Sequence, residues 1–253
     1  MISPGTLLNQ EWYGSPQGRE VLATLLHKSQ QRRKTFGLLE KPMIGVHCPT
    51  DEVKYKVFLV GKSGVGKTST VAKISGNAVP TAHSETPGIQ TTTVYWAGQV
   101  KQLNKVIMFS LQFWDAGESA TKKYDHILPA CVAQTDCIIF LFSFVDRSSF
   151  EDVSQLITKM TTPKDTTCKI VIGTKFDQHA HSEITQRDIR DFEQNWKIPI
   201  LKIRNVPDTE GRNHTNETSQ ILCVLCEHLW HRDIIMAGRS PSTDDLKDKQ
   251  NFV

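Results

Sequence analysis

Gly61-Lys62-Ser63-Gly64-Val65-Gly66-Lys67-Thr68 decides the fold of this chain. The run fits G-x-x-x-x-G-K-[ST], with the apolar Val57-Phe58-Leu59-Val60 before it and the helix-forming Val71-Ala72-Lys73-Ile74 after it. Strand, glycine-rich turn and helix in that order build a cradle for phosphate. Gly61, Gly64 and Gly66 permit turn conformations closed to other residues, so successive N–H groups point into one concavity. The helix that follows adds unpaired N-terminal N–H groups and the positive end of its dipole. Lys67 is placed to reach the β- and γ-phosphates, and the Thr68 hydroxyl to ligate Mg²⁺. The expected contacts of the loop are Ser63, Gly64, Val65, Gly66, Lys67, Thr68 and Ser69.

Outward from this loop the pattern alternates strand and helix. Strands are expected at Lys56 to Val60, Thr91 to Trp96, Val106 to Trp114, Cys137 to Phe144, Lys169 to Gly173 and Ile198 to Ile203. Helices are expected at Thr68 to Ser75, near Lys122 to Cys131, at Ser148 to Met160, after Thr185, and from about Thr218 to Ile235. Thr185 and Asp188 form a capping-box-like start, with Ile189, Phe192 and Trp196 on one face of the helix they open. Such alternation implies an α/β fold: a mostly parallel six-stranded sheet with one antiparallel edge strand and helices on both faces. Ligands of such sheets bind at the carboxyl ends of the strands, where the glycine loop lies.

Three further segments fall at strand ends. Thr86, in a loop with Pro87 and Gly88, brings a hydroxyl that can reach Mg²⁺ and a γ-phosphate. Trp114-Asp115-Ala116-Gly117 places a carboxylate to hold a Mg²⁺ water and a glycine N–H to meet the terminal phosphate. Lys175-x-Asp177 offers a carboxylate that can accept two hydrogen bonds from the N1–H and N2–H₂ edge of guanine. Adenine has no such pair of donors, and a buried carboxylate left unpaired is costly, so the site prefers guanine. The Lys175 stem can lie along the base.

With Thr86-Pro87-Gly88-Ile89-Gln90, Thr174-Lys175-Phe176-Asp177 and Asp146-x-x-Ser149-Phe150 added, the chain from about Tyr55 to Met236 resembles the Ras superfamily of small GTPases, closest to Rab proteins. Trp114 to Ser119, Lys122 to His126 and the long N-terminal arm are similar to the Rem- and Rab-like small GTPases of the ciliogenesis and planar polarity effector group. The resemblance implies the small GTPase variant of the P-loop NTPase fold, GTP or GDP with Mg²⁺ as ligands, and Thr68, Thr86 and, through water, Asp115 around the metal. It also implies the partners Fuzzy and Inturned, a place in the cytoplasm, cytoskeleton and ciliary basal body, and work in cilium assembly, planar polarity and vesicle traffic, including exocytosis.

Departures from that pattern bear on catalysis. Relatives carry Asp-x-Ala-Gly-Gln in the second switch; here only Ala116 separates Asp115 from Gly117, and Glu118 follows. The glutamine that orients the attacking water is missing, and Glu118 would carry negative charge towards the γ-phosphate. Lys67, Thr86 and Glu118 are the candidates for hydrolytic chemistry, which is expected to be slow. Thr174 stands where the family has an asparagine that ties the base loop to the phosphate loop, and its hydroxyl can make part of that contact. The usual Ser-Ala-Lys segment is replaced by Ile203-Arg204-Asn205-Val206, where no residue is assigned to the guanine oxygen.

The 253 residues carry a net charge of +3 and 23% charged residues, without the basic excess of a nucleic-acid binder. The six cysteines show no framework spacing, which points to a reducing compartment. Cys223-x-x-Cys226 has the spacing of a metal or redox pair but sits where Leu222, Leu225, Cys226 and Leu229 recur at helical intervals, so a core helix is expected. No signal sequence or membrane span is read, Ile2 excludes myristoylation, and no cysteine follows Cys226 for prenylation. Membrane contact would therefore come through partners, with the protein a monomer on its own. Residues 1–52 read as an arm with a short helix around Val21, Leu22, Leu25 and Leu26, whose apolar face packs on the main domain or on a partner. Its basic cluster Arg32-Arg33-Lys34 reads first as a solvated face. Residues 53–237 form the GTPase domain and 238–253 a polar tail.

Three functions compete: a GTP-dependent switch, a nearly constitutive GTP-bound adaptor, and a P-loop kinase or ATPase. Lys175-x-Asp177 argues against the last.

Overall fold

In the computed structural model, which describes residues 5–25, 51–82, 84–117, 127–162, 165–206 and 214–238, the strand before the glycine loop lies inside a six-stranded sheet. The strands are β1 (Asp51–Val60), β2 (Ile89–Val100), β3 (Lys105–Ala116), β4 (Cys137–Ser143), β5 (Cys168–Thr174) and β6 (Ile200–Lys202). They stand in the order β2-β3-β1-β4-β5-β6, with β2 and β3 antiparallel and every other pair parallel. The described helices are α1 (Pro16–Leu25), α2 (Lys67–Ile74), α3 (Ile127–Val132), α4 (Arg147–Met160), α5 (Gln186–Trp196) and α6 (His214–Met236). This is the α/β architecture expected, with one antiparallel strand at the edge.

All seven residues of β4 are buried, as a strand covered on both faces must be. Its side chains alternate between two cores: Cys137, Ile139 and Leu141 join one with α2 and α6, while Ile138, Phe140 and Phe142 join the other with α4 and α5. The α5 start is the capping box read from Thr185 and Asp188. Cys226 is buried in α6 beside Leu222, Leu225 and Leu229, and among the described residues no cluster could hold a metal ion. Cys223, half-buried, packs against the same core, on the helix expected.

The strand boundaries need correction. The first strand begins at Asp51, two residues before the expected domain start, because Asp51 to Lys56 pair with Ile107 to Gln112 of β3. That stretch is polar and mostly outside the core, so backbone pairing, not an apolar run, holds it. The hairpin likewise runs on to Val100, four residues past the expected end at Trp96, and returns from Lys105, one before Val106. Ile203 lies past β6, and α6 begins at His214.

The extended half of the hairpin is where the arm docks. Leu8 bridges antiparallel to Val100, Asn9 N–H donates to the Gln99 carbonyl (2.9 Å), and Lys101 N–H donates to the Leu7 carbonyl (2.9 Å). The Glu227 carboxylate on α6 accepts the N–H groups of Gly5 (2.8 Å), Leu7 (2.6 Å) and Leu8 (3.3 Å). Leu7, Leu8, Trp12 and Val21 are buried, and the last three belong to the same core as β1 and α6. Tyr13 donates to the Ala97 carbonyl (2.8 Å) and accepts from Trp96 Nε1 (3.1 Å). Residues 5–21 thus pack on their own sheet, and the side chains of Leu22, Leu25 and Leu26 lie outside the described ones. The basic cluster at residues 32–34 and the tail from residue 239 lie outside the described residues.

Candidate functional site

The loop leaving β1 turns twice through positive φ, at Gly64 (78°) and Gly66 (98°), and Gly66 caps α2. At Gly66 a Cβ would meet Asn205 Nδ2 at 3.3 Å and Thr174 Oγ1 at 3.7 Å, so glycine is required by conformation and closely covered as well. Lys67 is 9% exposed, and its ammonium donates to the Gly61 (2.8 Å) and Lys62 (3.3 Å) carbonyls, bridging the mouth of the loop.

At the start of α2 three segments distant in sequence meet. Asp115 Oδ2 accepts from Thr68 Oγ1 (2.5 Å) and Thr86 Oγ1 (3.1 Å), and the two hydroxyls are 2.8 Å apart. Asp115 is 2% exposed, and its other oxygen, Oδ1, is buried with no hydrogen-bond partner. Buried carboxylate oxygens are rarely left so without a ligand or water to serve. Gly117 donates its N–H to the Gly88 carbonyl (3.0 Å), and a Cβ on Gly117 would run into the Thr86 carbonyl. The Thr86 loop therefore lies directly against the end of β3.

The base side is built from β5 and the segment after β6. Thr174 is fully buried and its hydroxyl lies 2.5 Å from the Val65 carbonyl and 3.1 Å from that of Phe142. The contact expected of it with the phosphate loop is present. Lys175 takes φ of 55° to start the 3-10 turn Phe176–His181, which carries the half-buried Asp177. Phe176 packs on Phe144, 5.1 Å between ring centroids.

A cavity of about 620 Å³ joins the two sides. Of the residues singled out from the sequence, Ser63, Gly64, Gly66, Lys67, Thr68, Ser69, Thr86, Gly117, Lys175 and Asp177 line it. Val65 and Thr174 are buried behind it, and Asp115 meets it through Thr68 and Thr86. Glu118, with the rest of 118–126, lies outside the described residues.

Sequence reasoning missed Glu85 and Asn205, both on the cavity wall. Asn205 Nδ2 donates to Thr70 Oγ1 (2.9 Å) and faces the Gly66 carbonyl at 3.5 Å. Beside it the buried Lys73 of α2 donates to the Val206 carbonyl (3.0 Å), and burial pulls the Lys73 ammonium down to about 8. Neither residue stands in a motif; Asn205 was visible only as an occupant of an unrecognised segment.

The Ras family model matches residues 56–210 of the chain. Ciliogenesis and planar polarity effector 2 of Xenopus tropicalis is 45% identical over 243 residues, covering 93% of this chain and 94% of its own. The Homo sapiens protein of that name is 43% identical over 247 residues, covering 94% and 95%. Ras-related protein Rab-1D of Dictyostelium discoideum is 23% identical over 206 residues, covering 80% and 93%. Among the described residues no helix is long and apolar enough to cross a membrane.

Proposed function

The chain belongs to the Ras family, and on that premise we propose that it is a guanine-nucleotide switch serving ciliogenesis and planar polarity, the processes its relatives are named for. One observation carries the reading: the hydrogen-bonded triangle of Thr68, Thr86 and Asp115 at the cavity that Lys67 and Asp177 also line. It joins the phosphate loop to the two segments that would sense a terminal phosphate.

In this reading Asp177 accepts the N1–H and N2–H₂ donors of guanine and the Lys175 stem lies along the base. The N–H groups of residues 63–69 and the Lys67 ammonium hold the phosphates. The triangle suits Mg²⁺: its donors are all oxygen, and Asp115 Oδ1 is buried and unpaired. Thr68 and Thr86 would ligate the ion and Asp115 would hold one of its waters. Bound there, Mg²⁺ supplies neutralisation of phosphate charge. Thr86 and Gly117, already in contact, order together around a γ-phosphate and present an effector surface.

Hydrolysis is slow because Glu118 replaces the glutamine that orients water and repels the γ-phosphate. That substitution, with the loop one residue short, favours a second reading in which the protein holds GTP as a lasting adaptor. In either reading it works within a protein complex, for which the resemblance indicates Fuzzy and Inturned, at the ciliary basal body and in targeted vesicle traffic.

The test is to purify the protein, identify its nucleotide by chromatography, and follow hydrolysis and exchange beside Lys67→Ala and Glu118→Gln. Bound GTP or GDP in the wild type, lost in Lys67→Ala, is the expected result. Trapped GTP turned over only by Glu118→Gln selects the adaptor. Bound ATP, or no nucleotide, overturns both readings.

A further inference from the structure

The base loop of this chain carries Thr174 where the small GTPase pattern has asparagine, yet it is tied to the phosphate loop at more than one point. Thr174 Oγ1 reaches the Val65 carbonyl, and Asn205 Nδ2 reaches Thr70 Oγ1 on the helix that the loop opens. Both side chains sit over Gly66, at 3.7 and 3.3 Å from where a Cβ would stand. Position 205 lies 31 residues further along the chain, after β6, so the second tie comes from a different strand end.

We propose that Asn205 is a positioning residue for nucleotide binding: it shares with Thr174 the bracing work that one asparagine does elsewhere in the family, locking the phosphate loop to the base side of the cavity. The inference rests on the guanine-nucleotide reading above and names a residue that the motif comparison leaves unassigned.

Three features support it. First, the amide is oriented: with Nδ2 towards the Gly66 carbonyl the contact is attractive, whereas an oxygen in that place would face another oxygen. Second, Asn205 Oδ1 is buried without a partner, so the side chain is held by its NH₂ end alone and not by a network of its own. Third, the following residue is tied to the same helix, since Lys73 donates to the Val206 carbonyl. The segment at residues 205–206 therefore grips α2 one turn below the phosphate loop. A threonine hydroxyl has a single proton to give, and Thr174 divides it between the Val65 and Phe142 carbonyls. It cannot also reach the helix. Asn205 supplies the donor that Thr174 lacks.

The brace acts through Gly66 and Thr70, and fixes the distance between the groups that hold the phosphates and the carboxylate that reads the base. Removing it lets each half of a nucleotide bind while weakening the two together. The loss of one part-buried hydrogen bond of this kind corresponds to about tenfold in release rate.

The experiment measures release of fluorescent GDP, and amide hydrogen exchange of residues 61–70 in nucleotide-free protein, for wild type, Asn205→Ala, Thr70→Val, Thr174→Asn and Asn205→Ala/Thr174→Asn. Asn205→Ala is expected to release GDP about tenfold faster and to raise exchange in the loop. Thr70→Val, which removes the acceptor without touching Asn205, should do the same and serves if Asn205→Ala does not fold. The double variant should return release to within about threefold of wild type, because asparagine at 174 restores the single brace. Release and exchange unchanged in both Asn205→Ala and Thr70→Val overturn the proposal. So does faster release that Thr174→Asn fails to rescue, which marks a merely structural loss. A wild type that holds no guanine nucleotide contradicts the proposed function instead, and exchange on that same protein still decides the brace.

Discussion

At the scale of single residues, the chemistry of the site is carried by side chains whose alternatives can be written down atom by atom. In the proposed function Asp177 accepts from two guanine donors; an asparagine there would keep one acceptor and gain a donor, the complement of a base with N1–H and a C2 carbonyl. Asp177→Asn is therefore expected to lose guanine nucleotides by at least about a hundredfold and to gain xanthine nucleotides, read by competition binding. Asp115 gives a second case. Asp115→Asn removes the charge that Thr68 and Thr86 share, so GDP retention in the variant should become indifferent to a chelator that strips wild type of its nucleotide. The motif residues were legible because they stand at strand ends, after β1, β3 and β5 and, for Thr86, just before β2. Asn205 was not, because its partner Thr70 is 135 positions away and only the fold brings them together. Thr174 was half legible: its hydroxyl was read as a possible contact, but the sequence could not show that it would be divided between two carbonyls.

At the scale of elements, the informative part is the far end of the β2–β3 hairpin, where polar residues made strands that no apolar pattern announced. Asp51 to Lys54 pair with β3 although three of the four are charged, because backbone hydrogen bonding and not side-chain burial selects the conformation there. The arm then covers the extension. Glu227→Ala would leave the N–H groups of Gly5, Leu7 and Leu8 without their shared acceptor, and a loss of about 2–4 kcal/mol in urea unfolding is expected. Trp12→Ala should cost about 3–5 kcal/mol, since Trp12 is buried between the arm and the sheet. On the same helix burial, with His231 beside it, brings His228 from 6.5 down to about 4. The unfolded chain therefore binds more protons than the folded one between those two values, and stability falls as the pH drops from about 6.5 to about 4. His228→Asn should flatten that part of the stability profile.

At the scale of the whole molecule, the sheet divides its labour. The carboxyl ends of β1, β3, β5 and β6 gather the cavity, while the opposite end of the hairpin and α6 gather the arm. A ligand that binds only the folded state adds stability by mass action. GDP at a hundred times its Kd should contribute about 2.7 kcal/mol and raise the melting temperature by roughly 5–10 °C. Lys67→Ala should lose most of that increment while melting near the wild type without nucleotide. The α/β class, the sheet composition and the motif residues of the cavity could be read from alternating periodicity and motif spacing, whereas Glu85 and Asn205 on its wall could not. The docking of the arm could not, since Val21, Leu22, Leu25 and Leu26 define an apolar face without naming what it meets.

That docking has a practical consequence for anyone cutting the chain. Trp96, Val100 and Ala97 are at most 1% exposed in the presence of the arm, and Leu8 and Tyr13 are among the groups that cover them. A fragment beginning at Asp51 would keep every motif residue yet present this patch to solvent beside the Glu227 carboxylate. Patches of that kind promote aggregation. Such a fragment should precipitate or self-associate on size-exclusion chromatography, and the shortest well-behaved piece should be one that retains residues 5–25.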